Sequence, residues 1–183
     1  ILKPNVNQLV RPIAIEGLKL IYNNLPKIIN EPDNIGLREQ LQYASLLGGI
    51  CISHSRTGLI HTLSAAFSVY SSQAHGILNA QMMPFVLNYN SKYYDGHCKN
   101  IVKKFVNLNI KNDEDAINLL INFVNGLLKK ADSIKITGDI DIAEKDNLIE
   151  RVLQDKGVNE VNHRSLPKKQ LGKLINEIIN EIR

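Results

Sequence analysis

Apolar residues recur at the three- and four-residue spacing of an α-helix along most of this chain, and this periodicity limits the folds it can adopt. We predict helices that begin near residues 9 and 35, occupy residues 59–70, open at His75, and occupy residues 101–108, 112–130, 144–154 and 167–182. Only residues 133–141 alternate as a strand would, and we interpret them as a loop because no second strand is available to pair with them. The sequence therefore predicts an all-α domain of about seven or eight helices over residues 1–183.

The size and charge of the chain exclude several functional classes. Its 183 residues can bury one core, and no stretch reaches the roughly 18 apolar residues that a membrane span requires. The net charge of +4 is spread over separated pairs such as Lys103-Lys104 and Lys129-Lys130, without the concentrated basic face of a nucleic-acid-binding protein. The sequence has no GxGxxG motif, P-loop or βαβ alternation, so nothing in it predicts a nucleotide-binding fold.

The two cysteines, Cys51 and Cys98, lack the CxxC spacing of a metal or redox motif. Cys51 lies in an apolar run, which predicts a buried free thiol. Unpaired thiols fit a reducing compartment, and we therefore expect a cytoplasmic protein.

Two segments contain residues that disfavour a regular helix. Gly48 and Gly49 each cost about 1 kcal/mol relative to alanine inside a helix, and close approach of another backbone would compensate for that cost. Pro84 falls inside the helix that opens at His75, where a proline removes a backbone hydrogen bond. The sequence thus predicts a close contact at the glycine pair and a kink or restart at Pro84.

The strongest chemical signal lies in residues 58–90, a run poor in charge that contains His61 and His75. The two histidines are 75 − 61 = 14 residues apart, which corresponds to about 21 Å along one continuous helix. Two ligands of one metal each lie about 2.1 Å from it, so a shared ion requires a break between the histidines, and residues 71–73 (SSQ) provide one. No third ligand is evident nearby, and a pair of partly buried histidines bonded to carbonyl groups is the alternative interpretation.

The same run carries a recognisable family pattern. GLIH at residues 58–61 and HGILNA at residues 75–80 resemble the metal-binding signature of iron-containing alcohol dehydrogenases, in which a GLxHxxxHxxG run precedes an HGxANAxxxPxVxxxN run. The resemblance extends to both flanks, at residues 38–49 (REQLQYASLLGG) and 162–173 (NHRSLPKKQLGK). The two ligand histidines of the family are spaced as His61 and His75 are, so the resemblance implies that both bind the metal.

The resemblance implies a dehydroquinate synthase-like helical domain, the C-terminal half of a two-domain oxidoreductase. An N-terminal nucleotide-binding domain, absent from this chain, would hold most of the NAD(P) and supply an aspartate and a histidine ligand from a D-A-x-x-H-A-x-E run. The implied metal is Fe²⁺, with Zn²⁺ as the alternative because mixed nitrogen and oxygen ligands suit both ions. The implied reaction interconverts a small alcohol with an aldehyde or ketone by metal-assisted hydride transfer, and a homodimer is compatible with the sequence. The isolated chain is expected to be inactive.

One position departs from the family pattern. Ala65 replaces the second histidine of the GLxHxxxHxxG run, a residue that in relatives lies near the substrate and is associated with proton relay. The replacement puts the route of the proton in doubt and leaves two alternatives. Either the smaller residue widens the pocket for a different substrate, or the hydroxyl of Thr62, Ser64 or Ser68 substitutes for the histidine.

Two residues just before this run have candidate roles. His54 lies seven residues before His61 and would share its face if one helix contained both, which would place it beside the metal or substrate. A histidine that simply ends a helix is the alternative interpretation. Arg56 is a candidate to bind an anionic group of the substrate.

Two further hypotheses compete with the enzyme hypothesis. A stand-alone helical domain that kept this scaffold and lost catalysis would serve as a structural or interaction module. The zinc glycerol-dehydrogenase and dehydroquinate-synthase branch shares the helical architecture, but the HGxxNA spacing from His75 argues against it.

Overall fold

The computed structural model describes residue 2 and residues 7–131, 144–155, 158, 162 and 166–182. Eight α-helices lie in these ranges: α1 (Val10–Ile28), α2 (Ile35–His54), α3 (Leu59–Phe67), α4 (His75–Asn90), α5 (His97–Val102), α6 (Asp113–Lys130), α7 (Lys145–Gln154) and α8 (Lys168–Ile182). Short 3₁₀ helices, Ser68–Tyr70 and Ser91–Tyr93, follow α3 and α4. The described residues contain no strand, so the all-α prediction is confirmed for them, whereas the loop assigned to residues 133–141 lies outside them.

The chain divides into two compact units. The first comprises Ile1–Arg56 and Tyr94–Ile117, and the second comprises Thr57–Tyr93 and Asn118–Arg183. Helices α1, α2 and α5 belong to the first unit, α3, α4, α7 and α8 belong to the second, and α6 begins in the first and continues into the second. Both candidate metal ligands therefore lie in the second unit.

In the first unit, α1 and α2 approach each other closely at Gly17. A Cβ placed on Gly17 would lie 3.5 Å from the Cβ of Leu47 and 3.6 Å from the carbonyl oxygen of Ala44, the two buried residues of α2. The predicted contact at Gly48 and Gly49 is wrong, because no described atom lies within 4 Å of a Cβ placed at either position. Both of these glycines are exposed.

The start of α5 is held by an acidic side chain from another helix. Gly96 precedes α5 with φ of +79°, a left-handed conformation that glycine adopts without strain. The carboxylate of Asp113, the first residue of α6, accepts hydrogen bonds from the backbone N–H groups of Gly96 and Lys99. These bonds satisfy two donors that a helix N-terminus leaves unpaired, and they tie α5 to α6.

The two thiols of the first unit are expected to differ in reactivity. Cys51 is half-buried, less than predicted, and burial raises its pKa. Cys98 is fully buried, and burial together with the nearby Asp113 carboxylate raises its pKa to about 12. With a pKa of about 12, only about one Cys98 side chain in ten thousand is ionised at about pH 8. Since the thiolate is the nucleophile, Cys98 is expected to be unreactive in the native protein.

A thiol titration of the native and the unfolded chain tests this difference. We expect Ellman's reagent to modify Cys51 slowly in the native protein and to reach Cys98 only after denaturation. Cys98→Ser should leave the native thiol count unchanged and lower the count after unfolding. A lower native count in Cys98→Ser would contradict the assignment.

The second unit is built around the apolar faces of α3, α4, α7 and α8. Helix α8 buries a residue at every third or fourth position, as the sequence predicts for an amphipathic helix: Leu171, Leu174, Ile175, Ile178 and Ile179. These side chains share one core cluster with residues of α3 and α4, among them Leu59, Leu63, Phe67, Leu78 and Met82. The hydroxyl of Thr62 donates a 2.7 Å hydrogen bond to Asp155, the residue after α7, and so links α3 to that helix.

Helix α4 is continuous through Pro84. It runs from His75 to Asn90 as one helix, so of the two predicted alternatives the restart is wrong, whereas the kink stays a prediction. A proline inside a helix costs about 3 kcal/mol. The buried neighbours Met82, Phe85 and Val86 each contribute about 1.5–3 kcal/mol by leaving water, and this packing outweighs the lost hydrogen bond.

Candidate metal centre

The break predicted between the two histidines is present, and it brings their rings together. Helix α3 ends at Phe67, the 3₁₀ turn ends at Tyr70, and α4 begins at His75 itself. The ring centroids of His61 and His75 lie 4.7 Å apart with an interplanar angle of 83°, and Nδ1 of His61 lies 3.1 Å from Nε2 of His75. A separation of 14 residues along the chain is thus converted into direct contact between two imidazoles.

The distance between the two nitrogens fits two ligands of one divalent ion. At ligand distances of about 2.1 Å and angles between octahedral and tetrahedral values, two neighbouring ligand nitrogens lie about 3.0–3.4 Å apart. The observed 3.1 Å between Nδ1 of His61 and Nε2 of His75 falls inside that interval. Neutral imidazole is a suitable ligand for both Fe²⁺ and Zn²⁺. The residues present therefore fit a partial site for such an ion.

The described part of the chain supplies no further ligand cluster. Within it, no group of three or more histidine, cysteine, aspartate or glutamate side chains is arranged to hold a metal ion. A catalytic zinc site has at least three protein ligands, so two histidines make a partial site.

Both rings are open to their surroundings. His61 and His75 are exposed, and no described atom lies within 4 Å of a Cβ placed on the neighbouring Gly58 or Gly76. Ala65, one turn after His61, is also exposed. A small molecule can therefore approach the ring pair from the side where these residues lie.

The three hydroxyls near Ala65 have different environments. Thr62 is buried and its hydroxyl is bonded to Asp155. Ser68 is exposed, and its hydroxyl donates to the carbonyl oxygen of Ala65 at 2.8 Å. Ser64 is fully buried, yet its Oγ lies 3.1 Å from Nδ1 of His75.

The contact between Ser64 and His75 is a feature that sequence analysis missed. Ser64 entered the analysis only as a substitute for a missing histidine, and not as a partner of the ligand ring. The signal that could have found it is a serine at i+3 from His61, next to the apolar Leu63 on a short helix. A polar side chain on a buried face needs a hydrogen-bond partner, and in the structure Nδ1 of His75 lies within hydrogen-bond distance of it.

His54 and Arg56 lie outside the helix that carries His61. Helix α2 ends at His54 and α3 begins at Leu59, so the two histidines do not share one helix face and the argument that placed His54 beside the metal is wrong. Nδ1 of His54 lies 2.9 Å from the carbonyl oxygen of Ile50 and 3.0 Å from Oγ of Ser53, as in a histidine that ends a helix. Arg56 is exposed in the segment between the helices.

No described helix combines the length and the hydrophobicity needed to cross a bilayer.

The described part of the chain is a helical fold in which two histidines, the candidate metal ligands, meet across one turn, and comparison with known proteins identifies the family. Residues 2–181 match the Fe-containing alcohol dehydrogenase family, C-terminal. The chain belongs to the iron-containing alcohol dehydrogenase family, and the match covers the C-terminal domain of that family. The resemblance inferred from the residue motifs is confirmed.

Similar proteins share this assignment. The chain is 28% identical over 169 residues to NADPH-dependent butanol dehydrogenase from Clostridium saccharobutylicum, a match that covers 89% of this chain and 42% of that protein. It is 30% identical over 86 residues to 1,3-propanediol dehydrogenase from Citrobacter freundii, covering 47% of this chain and 22% of that protein. The solved structure of an alcohol dehydrogenase from Oenococcus oeni superposes with a TM-score of 0.81 at 20% identity, over 97% of this chain and 47% of that one. The chain thus spans less than half the length of these relatives, and the superposition confirms the helical fold.

Proposed function

We propose that this chain is the metal-binding, C-terminal part of an NAD(P)-dependent oxidoreductase that interconverts an alcohol with an aldehyde or ketone by metal-assisted hydride transfer. The observation that carries the proposal is the 3.1 Å separation between Nδ1 of His61 and Nε2 of His75. It occurs at the two positions where the family motif has ligand histidines. The similarity to butanol and propanediol dehydrogenases supports a small alcohol as the substrate class.

His61 and His75 would hold a divalent ion through two neutral nitrogens. Fe²⁺ is the ion the family implies, and Zn²⁺ is the alternative. The bound ion supplies Lewis acidity, which polarises the alcohol or carbonyl oxygen of the substrate. The protein would hold the two rings in position. His61 lies on α3, His75 is the first residue of α4, and the shared core keeps the two helices in place. The exposure of both rings leaves room for the remaining ligands and for a small substrate.

The nicotinamide cofactor would be held by another part of the natural protein. The regular elements of the described residues are all helices, and they include no βαβ unit of the kind that binds a dinucleotide. We therefore assign residues 1–183 to one domain of a two-domain enzyme, with the nucleotide-binding domain as its partner. The nicotinamide supplies the acceptor or donor of the hydride.

Activity of the full-length natural protein tests the proposal. After loading with Fe²⁺ or Zn²⁺, we expect reduction of NAD⁺ or NADP⁺ that depends on a small primary alcohol such as 1-butanol. A chelator should remove the activity, and the metal should restore it. The 183-residue chain alone should be inactive and should bind metal weakly, because it supplies two ligands.

Two outcomes would contradict the proposal. Full-length, metal-loaded protein without activity towards any small alcohol would favour a helical domain that has lost catalysis. Tight, stoichiometric iron or zinc on the 183-residue chain would show that this chain holds a complete metal site.

A further inference from the structure

Ser64 is a polar residue buried at the base of the histidine pair. It is 0% exposed and lies on α3 beside the core residues Leu63 and Phe67. A hydroxyl removed from water must find hydrogen-bond partners, or it costs about 1–3 kcal/mol. Among the described residues, Ser64 contacts both candidate ligands: Nδ1 of His75 at 3.1 Å and the backbone carbonyl oxygen of His61 at 3.4 Å.

The single proton of the Ser64 hydroxyl and the tautomer of His75 are coupled, because the hydroxyl lies within hydrogen-bond distance of both Nδ1 of His75 and the carbonyl oxygen of His61. The carbonyl oxygen of His61 can only accept, so the hydroxyl donates to it. The Ser64 oxygen is then left to accept from the His75 ring, which places the ring proton on Nδ1. In a neutral imidazole the other nitrogen then carries the free lone pair, and here that nitrogen is Nε2, the atom next to His61.

The opposite proton arrangement would block the site. If Ser64 donated to Nδ1 of His75, the ring proton would have to lie on Nε2 and would point at Nδ1 of His61. A protonated nitrogen has no lone pair to offer a metal ion. Histidine ligands in proteins are held in the correct tautomer by an acceptor at the nitrogen away from the metal, and a loss of that acceptor typically lowers metal affinity about 10–100-fold.

We infer that Ser64 is a positioning residue that accepts the Nδ1–H of His75 and thereby holds Nε2 free to bind a divalent metal ion. The inference rests on the proposed function, because it assumes that His61 and His75 are metal ligands. Ser64 also ties the His75 ring to the backbone of His61, so one side chain orients both members of the pair. Neither other hydroxyl of this segment has that geometry, since Thr62 donates to Asp155 and Ser68 donates to Ala65.

The tautomer can be measured without any metal. Long-range ¹H–¹⁵N correlation spectra of the 183-residue chain, recorded above the pH range in which histidines titrate, distinguish a protonated from an unprotonated ring nitrogen. We expect His75 to be predominantly protonated at Nδ1, and Ser64→Ala to shift this population towards the Nε2-protonated form. Ser68→Ala, on the same segment, should leave the spectrum of His75 unchanged. A His75 ring protonated mainly at Nε2 in the unaltered chain would overturn the inference.

Metal affinity gives the second readout. We expect Ser64→Ala to weaken Zn²⁺ binding, measured by competition with a chromophoric chelator, about 10–100-fold, while Ser68→Ala stays within about twofold. Circular dichroism of each variant verifies that α3 and its core are folded. Unchanged Zn²⁺ affinity in folded Ser64→Ala, with a loss in His75→Ala, would overturn the role of Ser64 and leave the proposed ligands standing. Unchanged affinity in His75→Ala would overturn the ligand assignment as well.

Discussion

Replacement of His75 by alanine should abolish metal retention by the full-length, metal-loaded protein, and with it the alcohol-dependent reduction of NAD(P)⁺. The reason lies in the small number of ligands: His61 and His75 are the two candidate ligands that we propose among the described residues. Removing a group that only orients a ligand costs about 10–100-fold in affinity, so loss of the ligand itself should cost more. Metal content after desalting, measured by mass spectrometry, provides the test.

The expected stability change is small, which makes the result interpretable. His75 is exposed and opens α4, so its truncation removes little packing, and the loss of its hydrogen bond with Ser64 costs about 1 kcal/mol. His54→Ala is the matched control, because His54 is another exposed histidine at a helix end and, among the described residues, its ring bonds to Ile50 and Ser53 of α2. Metal content should be unchanged in the control. Equal metal content in His75→Ala and the unaltered protein would refute the assignment of His75 as a ligand.

His61→Ala should lose metal as His75→Ala does, and the double variant should retain little less metal than either single variant. Two ligands of one ion act as a unit, so removing the second has little left to disrupt. Additive losses in the double variant would instead indicate that His61 and His75 contribute to separate sites.

The sequence predicted those parts of the fold that depend on local periodicity and chain breaks. Helix α8 followed from apolar residues at helical spacing, and the turn between α3 and α4 followed from the geometric requirement that two histidines share one ion. The expectation at Gly48 and Gly49 failed because glycine shows where a close contact is allowed, and only packing decides where one forms. The restart at Pro84 failed for a related reason, since burial of its neighbours outweighs the lost backbone bond.

The sequence identified the two candidate ligands, whose assignment stays a prediction, but not the hydroxyl that contacts one of them. His61 and His75 were identified from residue type, spacing and family motif, whereas the hydroxyl under His75 depends on how α3 is rotated against the first turn of α4. That rotation is set by the buried side chains of both helices, including Leu63 and Leu78, and a linear pattern does not specify it. The position of Ser64 beneath the His75 ring is therefore a product of tertiary packing.

Truncation of Phe67 to alanine should destabilise the second unit by about 3–5 kcal/mol, the cost typical of removing a buried aromatic side chain. Phe67 is 0% exposed at the end of α3 and belongs to the core cluster that includes Leu63 and Met82. Its removal leaves a cavity that the surrounding helices can only partly fill. The midpoint of urea unfolding, followed by circular dichroism, measures the effect, and Val69→Ala is the control because Val69 is 56% exposed two residues later.

Comparison of Phe67→Ala with His75→Ala distinguishes the effect of core packing on stability from the effect of a ligand side chain on metal retention, within α3 and α4. At urea concentrations below its unfolding transition, folded Phe67→Ala should still retain metal, because both ligand rings and Ser64 are unaltered. His75→Ala should show the reverse, a smaller change in the midpoint and no retained metal. If the free energy of unfolding of Phe67→Ala stayed within about 0.5 kcal/mol of that of the unaltered protein, the placement of Phe67 in the core beneath the candidate metal centre would be wrong. If metal were lost from folded Phe67→Ala as completely as from His75→Ala, the position of α3, and not the histidine ligands alone, would control metal binding.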